Sequence, residues 1–221
     1  MSLTKHQLKE VMAKLKDKLS SDEEALKALH VLEQKIEGLE FSQEKKSKLT
    51  SSLGATFPLP QEVLNDPSAY AVFSDGACRG NPGPGAWGVV CQSGNGEVLF
   101  ESNGLDLKTT NNRMELEGAI QSLERLFDYF KEQNLNSAVF LYSDSKYVIE
   151  GISKWVSGWK NRGWKKADGK APENLDLWQH FDFVRSKFSK IHFIWVKGHA
   201  GHPQNEHCDR LANEALNQSG F

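Results

Sequence analysis

The pattern of apolar positions changes near residue 57. Before it, apolar residues recur at helical spacing in a stretch dense in Lys and Glu, and a shorter helix is predicted over residues 42–52. We therefore predict a small all-α domain over residues 1–57. About 55 residues fold alone only marginally, so we expect roles in dimerisation, intramolecular packing or protein contacts. The two helical stripes are Leu8, Val11, Met12, Leu15 and Leu19, then Leu26, Leu29, Leu32, Ile36 and Leu39.

Residues 58–67 contain three prolines and little periodicity, which predicts a linker. The second domain, residues 68–221, opens with a β-prone run over 70–73 that ends at Asp75. A turn rich in Gly, Asn and Pro over 80–85 and a further run from Ala86 predict a hairpin. A third strand over 97–102 would complete an antiparallel meander.

Strands and helices alternate in the rest of this domain. A helical stripe begins at Leu116, and helical pieces over 145–159, 172–187 and 205–218 follow. Two short strands, 138–142 and 191–196, separate them. Because crossover connections are right-handed, the first, fourth and fifth strands should run parallel. The predicted fold class is α/β, a five-stranded mixed sheet with helices on both faces, preceded by the small all-α domain.

The composition excludes some classes of protein but does not indicate a function. A net charge of −2 gives no overall attraction to nucleic acid, so any polyanion site must be a local patch. No apolar run approaches the ~18 residues that span a bilayer, and the first ten residues lack a signal-peptide core. Three cysteines without Cys-x-x-Cys spacing indicate a reducing compartment, so we expect a cytoplasmic protein that does not contact membranes.

Four carboxylates are predicted to meet at one edge of the sheet. Asp75 and Asp144 follow parallel strands, where sites of such sheets form, whereas Glu115 and Asp209 lie on helices. Each has a structural alternative: a turn at Asp75, a capping box over 112–115, a helix N-cap at Asp144, and an ion pair at Asp209. Together, hard oxygen ligands suit Mg²⁺ or Mn²⁺, which can activate water against a phosphodiester.

The loop over residues 197–208 is rich in Gly and His. His199 lies between two glycines and titrates near neutrality, which suits a proton-shuttling role. A zinc site formed by His199, His202, His207 and Cys208 is an alternative, although the paired-ligand spacing of structural zinc is missing.

A basic stretch over residues 154–170 carries six Lys or Arg against one acid, with three tryptophans between them. Such a stripe suits tracking of a nucleic-acid backbone. At least one of the tryptophans is expected to form a small core that supports a protruding helix. The candidate contacts are Trp155, Trp159, Lys160, Arg162, Trp164, Lys165 and Lys166.

Four blocks in this order resemble type-1 ribonuclease H, which cuts the RNA strand of RNA–DNA hybrids. They are Ser-Asp-Gly-Ala-Cys-x-Gly-Asn-Pro-Gly-Pro-Gly, Thr-Thr-Asn-Asn-Arg-Met-Glu-Leu, Ser-Asp-Ser-x-Tyr-Val and Lys-Gly-His-Ala-Gly-His-Pro-x-Asn-Glu-x-Cys-Asp. The resemblance covers residues 69–218 and says nothing about the N-terminal helices.

The resemblance implies metal ligands at Asp75, Glu115, Asp144 and Asp209, with His199 assisting proton movement or product release. It implies two Mg²⁺ ions with substrate bound, Mn²⁺ as a substitute, and endonucleolytic products with 5′-phosphate and 3′-hydroxyl ends. It also implies hybrid contacts near the cleaved phosphate and a basic protrusion, 155–170, that grips the DNA strand. The hybrid contacts are Cys78, Asn81 and Asn112, joined as polar candidates by Asn111 and by Lys146.

Lys146 departs from the resemblance, because relatives often carry Gln there. A charged group favours a phosphate contact over a hydrogen bond to a ribose or a base edge. Two other hypotheses stay open from the sequence: a DNA-directed nuclease or strand-transfer enzyme on the same sheet, and a catalytically silent hybrid-binding or interaction protein.

Overall fold

Five strands form a single sheet in the part of the chain that the structure, a computed structural model, describes: Leu29, residues 57–198 and residues 200–221. The sheet order is β3-β2-β1-β4-β5. β1 pairs antiparallel with β2, and β2 with β3, whereas β1, β4 and β5 run parallel. The predicted mixed sheet is confirmed. The strands are β1 (Tyr70–Cys78), β2 (Gly83–Ser93), β3 (Val98–Thr109), β4 (Val139–Ser143) and β5 (Ile191–Trp195).

The helices after β3 lie close to their predicted positions, whereas a short helix, Gln61–Leu64, falls in the segment predicted as a linker. The helical region predicted over 145–159 consists of three pieces. Its middle piece is a π-helical turn, Gly151–Trp155. A Cβ at Gly151 would lie 2.0 Å from the Trp178 ring, so only glycine lets this turn pack so closely. The helices are α1 (Gln61–Leu64), α2 (Asn111–Gln133), α3 (Lys146–Glu150), α4 (Val156–Asn161), α5 (Leu175–Arg185) and α6 (Pro203–Gln218).

Both faces of the sheet are covered, because successive side chains point to opposite faces and consecutive residues of β1 and β4 are buried. On one face, Val72 and Leu141 pack against α2 and α5 through residues such as Ile120 and Phe181. On the other face, α6 packs on β1, β2 and β3. The predicted placement of helices on both faces is therefore confirmed.

The segment predicted as a linker is packed against the sheet. Val63 in α1 is fully buried, and Phe57 and Leu59 pack against the same apolar cluster as Phe73 and Tyr142. The prolines interrupt regular structure in this segment, but they do not prevent its burial. The apolar side chains between them, Leu59 and Val63, pack on the part of the sheet beside α6. We call residues 57–66 the strap.

The chain divides into two compact units, Met1–Thr50 and Ser51–Phe221. The helices predicted within residues 1–57 lie outside the described residues, apart from the single positions Leu29 and Phe57. Among the described residues, no helix combines the length and the apolarity that a membrane crossing needs.

Candidate active site

Asp75 lies inside β1 and not after it as predicted, because antiparallel pairing with β2 continues past Phe73, the last residue paired with β4. The first turn of α2 comes against this part of the strand. A Cβ at the next residue, Gly76, would lie 2.5 Å from the Glu115 backbone nitrogen and 2.7 Å from the Met114 carbonyl carbon. Only glycine therefore permits this approach. The close contact brings the Glu115 side chain to the part of the strand that carries Asp75.

Glu115 does not belong to a capping box. The N-cap of α2 is Thr110, whose hydroxyl accepts a 3.4 Å hydrogen bond from the Arg113 backbone N–H. Glu115 Oε1 accepts from Asn111 Nδ2 at 2.8 Å, and its Oε2 accepts from the Ser145 hydroxyl. Its carboxylate is thus oriented toward the end of β4.

Asp144 directly follows β4 and does not cap the next helix. Ser145 is the N-cap of α3, and its hydroxyl accepts from the Val148 N–H at 3.2 Å. Asp144 Oδ2 accepts from Asn205 Nδ2 at 3.2 Å, and its backbone oxygen accepts from Trp195 Nε1 at 2.9 Å. Both the carboxylate and the peptide of Asp144 are therefore held in place.

Asp209 reaches the same edge because α6 lies directly on β2. A Cβ at Gly88 would lie 2.1 Å from the Cys208 carbonyl oxygen, so the strand needs glycine there. Asp209 Oδ1 accepts from Asn213 Nδ2 at 2.8 Å. In the described part of the chain it forms no salt bridge, so the boundary ion pair is not observed.

The four carboxylates influence one another electrostatically. The pKa of Asp75 is raised to about 8, mainly by burial and then by the charge of Asp144, with further contributions from Asp209 and Glu115, although a hydrogen bond from the Gly76 N–H lowers it. Burial also raises the pKa of Glu115, with Asp144 adding to it and hydrogen bonds from Ser145 and Asn111 opposing it. The structure therefore brings these acids to one edge, where a cation would relieve their repulsion.

The donor set fits a hard divalent cation, since every oriented ligand atom is a carboxylate oxygen. Within the described ranges, no three His, Cys, Asp or Glu side chains are arranged tightly enough to enclose an ion by themselves. Mg²⁺ usually binds through one or two carboxylates and keeps several waters beside substrate phosphates. The open arrangement suits this mode of binding.

The predicted substrate-contacting side chains of the first two motifs lie together at the rim of the site. Cys78 Sγ donates to the backbone oxygens of Gly80 at 2.7 Å and Thr109 at 3.6 Å. Asn81 Oδ1 accepts from the Asn111 N–H at 3.3 Å. These contacts join the loop after β1 to the start of α2, which also carries Asn112.

Lys146 lies over an aromatic ring beside Asp144. Its Nζ is 5.0 Å from the centroid of the Trp195 ring, a cation–π contact. Trp195, Asn205 and Ser145 were not predicted as part of the site. Ser145 and Asn205 stand within matched motifs, Ser145 directly after Asp144 and Asn205 in the motif of Asp209, and this was the available signal. Nothing in the sequence pointed to Trp195.

The zinc alternative is not supported by the described residues. The Cys208 thiol is buried and donates to the Phe73 carbonyl oxygen at 3.3 Å. The His207 Nε2 lies 2.7 Å from Glu101 Oε2. His199 lies outside the described residues. All three cysteines are free thiols, as the sequence predicted.

The basic stretch separates into a supporting core and an exposed edge. Trp159 is 8% exposed, with its ring centroid 5.9 Å from that of Trp155 and 5.6 Å from that of Trp178. This confirms that a tryptophan supports the protrusion. Trp155 and Trp164 are partly buried against the same core.

Not every predicted cation is available to a ligand. Lys160 Nζ lies 2.7 Å from Asp182 Oδ2, and Asp182 is buried. Lys166 lies 3.6 Å from Asp168 in an exposed pair. Arg162 and Lys165 are exposed and form no salt bridge with any residue that the structure describes, so they present more open positive charge than the paired Lys160 and Lys166.

The similarity to known proteins lies in the part of the chain that forms the sheet and the candidate site. The RNase H family model matches residues 67–217. Ribonuclease HI of Caulobacter vibrioides is 49% identical over 148 residues, which are 67% of this chain and 93% of the relative. Ribonuclease H of Dechloromonas aromatica is 46% identical over 147 residues, covering 66% of this chain and 93% of the relative.

Solved structures agree with the fold. The crystal structure of LC9-RNase H1, a type 1 RNase H with the type 2 active-site motif, superposes with a TM-score of 0.58 at 32% identity, covering 73% of this chain and 75% of that one. LC11-RNase H1 in complex with RNA/DNA hybrid gives 0.54 at 26% identity, covering 68% and 98%. With its motifs, its sheet and most of its length matched, the chain belongs to the RNase H family.

Proposed function

We propose that this chain is an endonuclease that hydrolyses the RNA strand of RNA–DNA hybrids with little dependence on sequence. The observation that carries the proposal is the meeting of Asp75, Glu115, Asp144 and Asp209 at one sheet edge, where burial and mutual repulsion raise the pKa of Asp75 to about 8. Membership of the RNase H family supports the same reaction. The products would carry 5′-phosphate and 3′-hydroxyl ends.

The four carboxylates would hold two Mg²⁺ ions with substrate bound, and Mn²⁺ would substitute. When bound, such ions polarise a phosphate oxygen and lower the pKa of water. The chain's own residues fix the ligands: Ser145 and Asn111 hold Glu115, whereas Asn205 holds Asp144. His199 in the adjoining loop would accept or return a proton, since imidazole titrates near neutrality.

Discrimination for RNA requires a contact to the 2′-hydroxyl, which DNA lacks. Asn81, Asn111 and Asn112 provide amide donors and acceptors at the rim of the site, joined by the Asn81–Asn111 hydrogen bond. Cys78 lies in the same loop. Contacts of this kind bind sugar and phosphate, so we expect cleavage without a base code.

The cations beyond the carboxylates would bind the backbone of the hybrid. Lys146, held over the Trp195 ring, would contact a phosphate near Asp144. In the protrusion, Arg162, Lys165 and Lys166 would contact the DNA strand, supported by the core around Trp159, with Trp155 and Trp164 at its edge. Lys160 would act mainly through its ion pair with Asp182.

We also infer a small helical domain over residues 1–57, with dimerisation, intramolecular packing or protein contacts as its candidate roles. We also propose that the protein works in the cytoplasm, because its three cysteines are free thiols, as is usual in a reducing compartment.

A cleavage assay tests the proposed function and its two competitors. Labelled RNA–DNA hybrid, duplex RNA and duplex DNA are incubated with the full chain while Mg²⁺ and Mn²⁺ are titrated. The proposal expects metal-dependent cleavage of the RNA strand of the hybrid alone. Cleavage of duplex DNA would favour a DNA-directed nuclease, and binding of hybrid without cleavage at any metal concentration would favour a silent binding module.

A further inference from the structure

The strap lies outside the segment that matches the RNase H family, which begins at residue 67. It nevertheless completes the second face of the sheet. α6 packs on β1, β2 and β3, whereas strap residues share their apolar cluster with Tyr142 of β4 and Ile194 of β5. Val63 is fully buried there, next to an exposed Leu64. The strap is thus part of the packed structure of the catalytic domain.

Buried amides tie the strap to the first turn of α6. Gln204 is 3% exposed, and its Nε2 lies 2.6 Å from the Pro58 carbonyl oxygen and 2.8 Å from Gln92 Oε1. Gln92 is fully buried and donates to the Phe57 carbonyl oxygen at 3.3 Å. Because buried polar groups require partners, each side of this contact depends on the other.

The same helical turn reaches the candidate active site. Asn205, the neighbour of Gln204, is 4% exposed and donates to Asp144 Oδ2 at 3.2 Å. The N-cap of α6, His202, makes no side-chain capping hydrogen bond. The turn is therefore fixed by the Gln204 and Asn205 side chains, one bound to the strap and the other to a catalytic carboxylate.

We propose that the strap positions Asp144 through Gln204 and the first turn of α6, so that the catalytic domain of this chain extends about ten residues beyond the family segment. The inference rests on the proposed function, since it concerns the same carboxylate. Gln204 is a positioning residue: it touches no reacting atom. Its amide holds the turn from which Asn205 reaches Asp144.

The test compares Gln204→Met with Gln218→Met in the full chain. Methionine keeps the length of the side chain but removes both donated hydrogen bonds, whereas Gln218 is exposed on the same helix and serves as the matched control. Steady-state cleavage of hybrid is measured well below the melting temperature of each variant. We expect Gln204→Met to lower kcat about tenfold with KM nearly unchanged, since a small misplacement of a catalytic group is costly.

A second measurement is independent of activity. Hydrogen exchange is followed at the Glu206 amide, which donates to the His202 carbonyl oxygen at 3.1 Å and closes the first turn. Gln204→Met should exchange faster there, and Val63→Ala should do so too, while Leu64→Ala and Gln218→Met match the wild type.

The outcomes separate this inference from the proposed function. A wild-type chain that does not cleave hybrid overturns the proposed function, and exchange at Glu206 still decides whether the strap holds the turn. If the wild type cleaves and Gln204→Met keeps both its kcat and its Glu206 protection, the positioning role is overturned. Equal losses in Gln218→Met would also contradict it.

Discussion

Ser145 caps α3, which leaves the Asp144 carboxylate facing the other acids of the site. The carboxylate accepts a hydrogen bond from Asn205, and its peptide oxygen accepts one from Trp195. At the scale of a single residue, these contacts show that Asp144 does not cap the helix, so its carboxylate is available to a ligand. They also make the residue suitable for an isosteric substitution.

We expect Asp144→Asn to abolish hydrolysis while the fold and hybrid binding persist. The amide keeps the size of the side chain but removes the charge that a divalent ion requires. The loss should exceed about a thousandfold, or ~4 kcal/mol in activation free energy. The control is Asp128→Asn on the exposed side of α2. Cleavage by Asp144→Asn within about tenfold of wild type, ~1.4 kcal/mol, would show that its charge is dispensable.

Gly76→Ala should disturb both stability and catalysis. The added Cβ would meet backbone atoms of Glu115 and Met114, which cannot move without shifting α2. We expect a loss of about 1–3 kcal/mol in unfolding free energy, typical of overpacking, and a clear fall in kcat. Gly158→Ala is the control, because its Cβ would meet only the flexible end of Arg162 at 3.3 Å. Wild-type stability and activity in Gly76→Ala would contradict the close approach.

At the scale of elements, the protrusion combines a tryptophan core with an exposed basic edge. Replacing Arg162, Lys165 and Lys166 with Ala should raise KM for hybrid with little change in kcat, because such contacts bind ground and transition states alike. The dependence of log affinity on log salt should flatten by up to ~0.9 per lost contact. KM and kcat are measured across a salt series.

A matched triple variant, with Lys131, Lys187 and Lys190 changed to Ala, removes equal charge; Lys131 lies in the last turn of α2, at the opposite end of that helix from Glu115. This variant should leave the salt slope unchanged. An unchanged KM and slope in the protrusion variant would mean that the hybrid is held elsewhere. Lys160 is spared, because its partner Asp182 is buried.

The ion pair between Lys160 and Asp182 joins α4 to α5 and gives a pH-dependent prediction. Burial alone would raise the pKa of Asp182, but hydrogen bonds from Lys160 and Arg185 outweigh it and lower the pKa. A lowered folded-state pKa stabilises the protein above the unfolded value, about 3.9, and this contribution is lost as pH falls through the folded-state pKa.

Lys160→Ala should therefore lower stability by about 1 kcal/mol at neutral pH, since Lys160 is half exposed. Below pH ~4 its difference from wild type should shrink. Melting temperatures from pH 7 to pH 3 measure the effect, with Lys165→Ala as the exposed control. A difference that stays constant across this range would exclude the ion pair as its cause.

At the scale of the whole molecule, the strap decides where the catalytic domain can be cut. A chain starting at Ala55 should keep hydrolysis and stability, whereas a chain starting at Pro67 should be less stable. Losing the burial of Val63 costs about 2 kcal/mol, and the Gln204 and Gln92 amides each lose one hydrogen bond, to Pro58 and Phe57, at about 1 kcal/mol each. The melting temperature should fall by about 10 °C. Equal melting temperatures for the two chains would instead support the linker predicted over residues 58–67.

The sequence alone determined the sheet and the identity of the four acids. Continuous apolar runs such as 70–73 and the helical stripe that begins at Leu116 are local patterns, so they could be assigned without contacts. The chain order of strands and helices indicated the parallel pairing, because a helix between two strands forms a crossover connection that returns the chain to the same end of the sheet. Four motifs in order then placed Asp75, Glu115, Asp144 and Asp209 at one edge.

Only the tertiary structure decided how those acids are held and where the domain begins. The hydrogen bond from Asn205 to Asp144 joins residues 61 positions apart, and that from Gln204 to Pro58 joins residues 146 positions apart. No local pattern records such contacts, since the strap has neither helical nor strand periodicity. Its burial comes from apolar side chains filling a sheet face that α6 leaves open, and this depends on the packing of the complete fold.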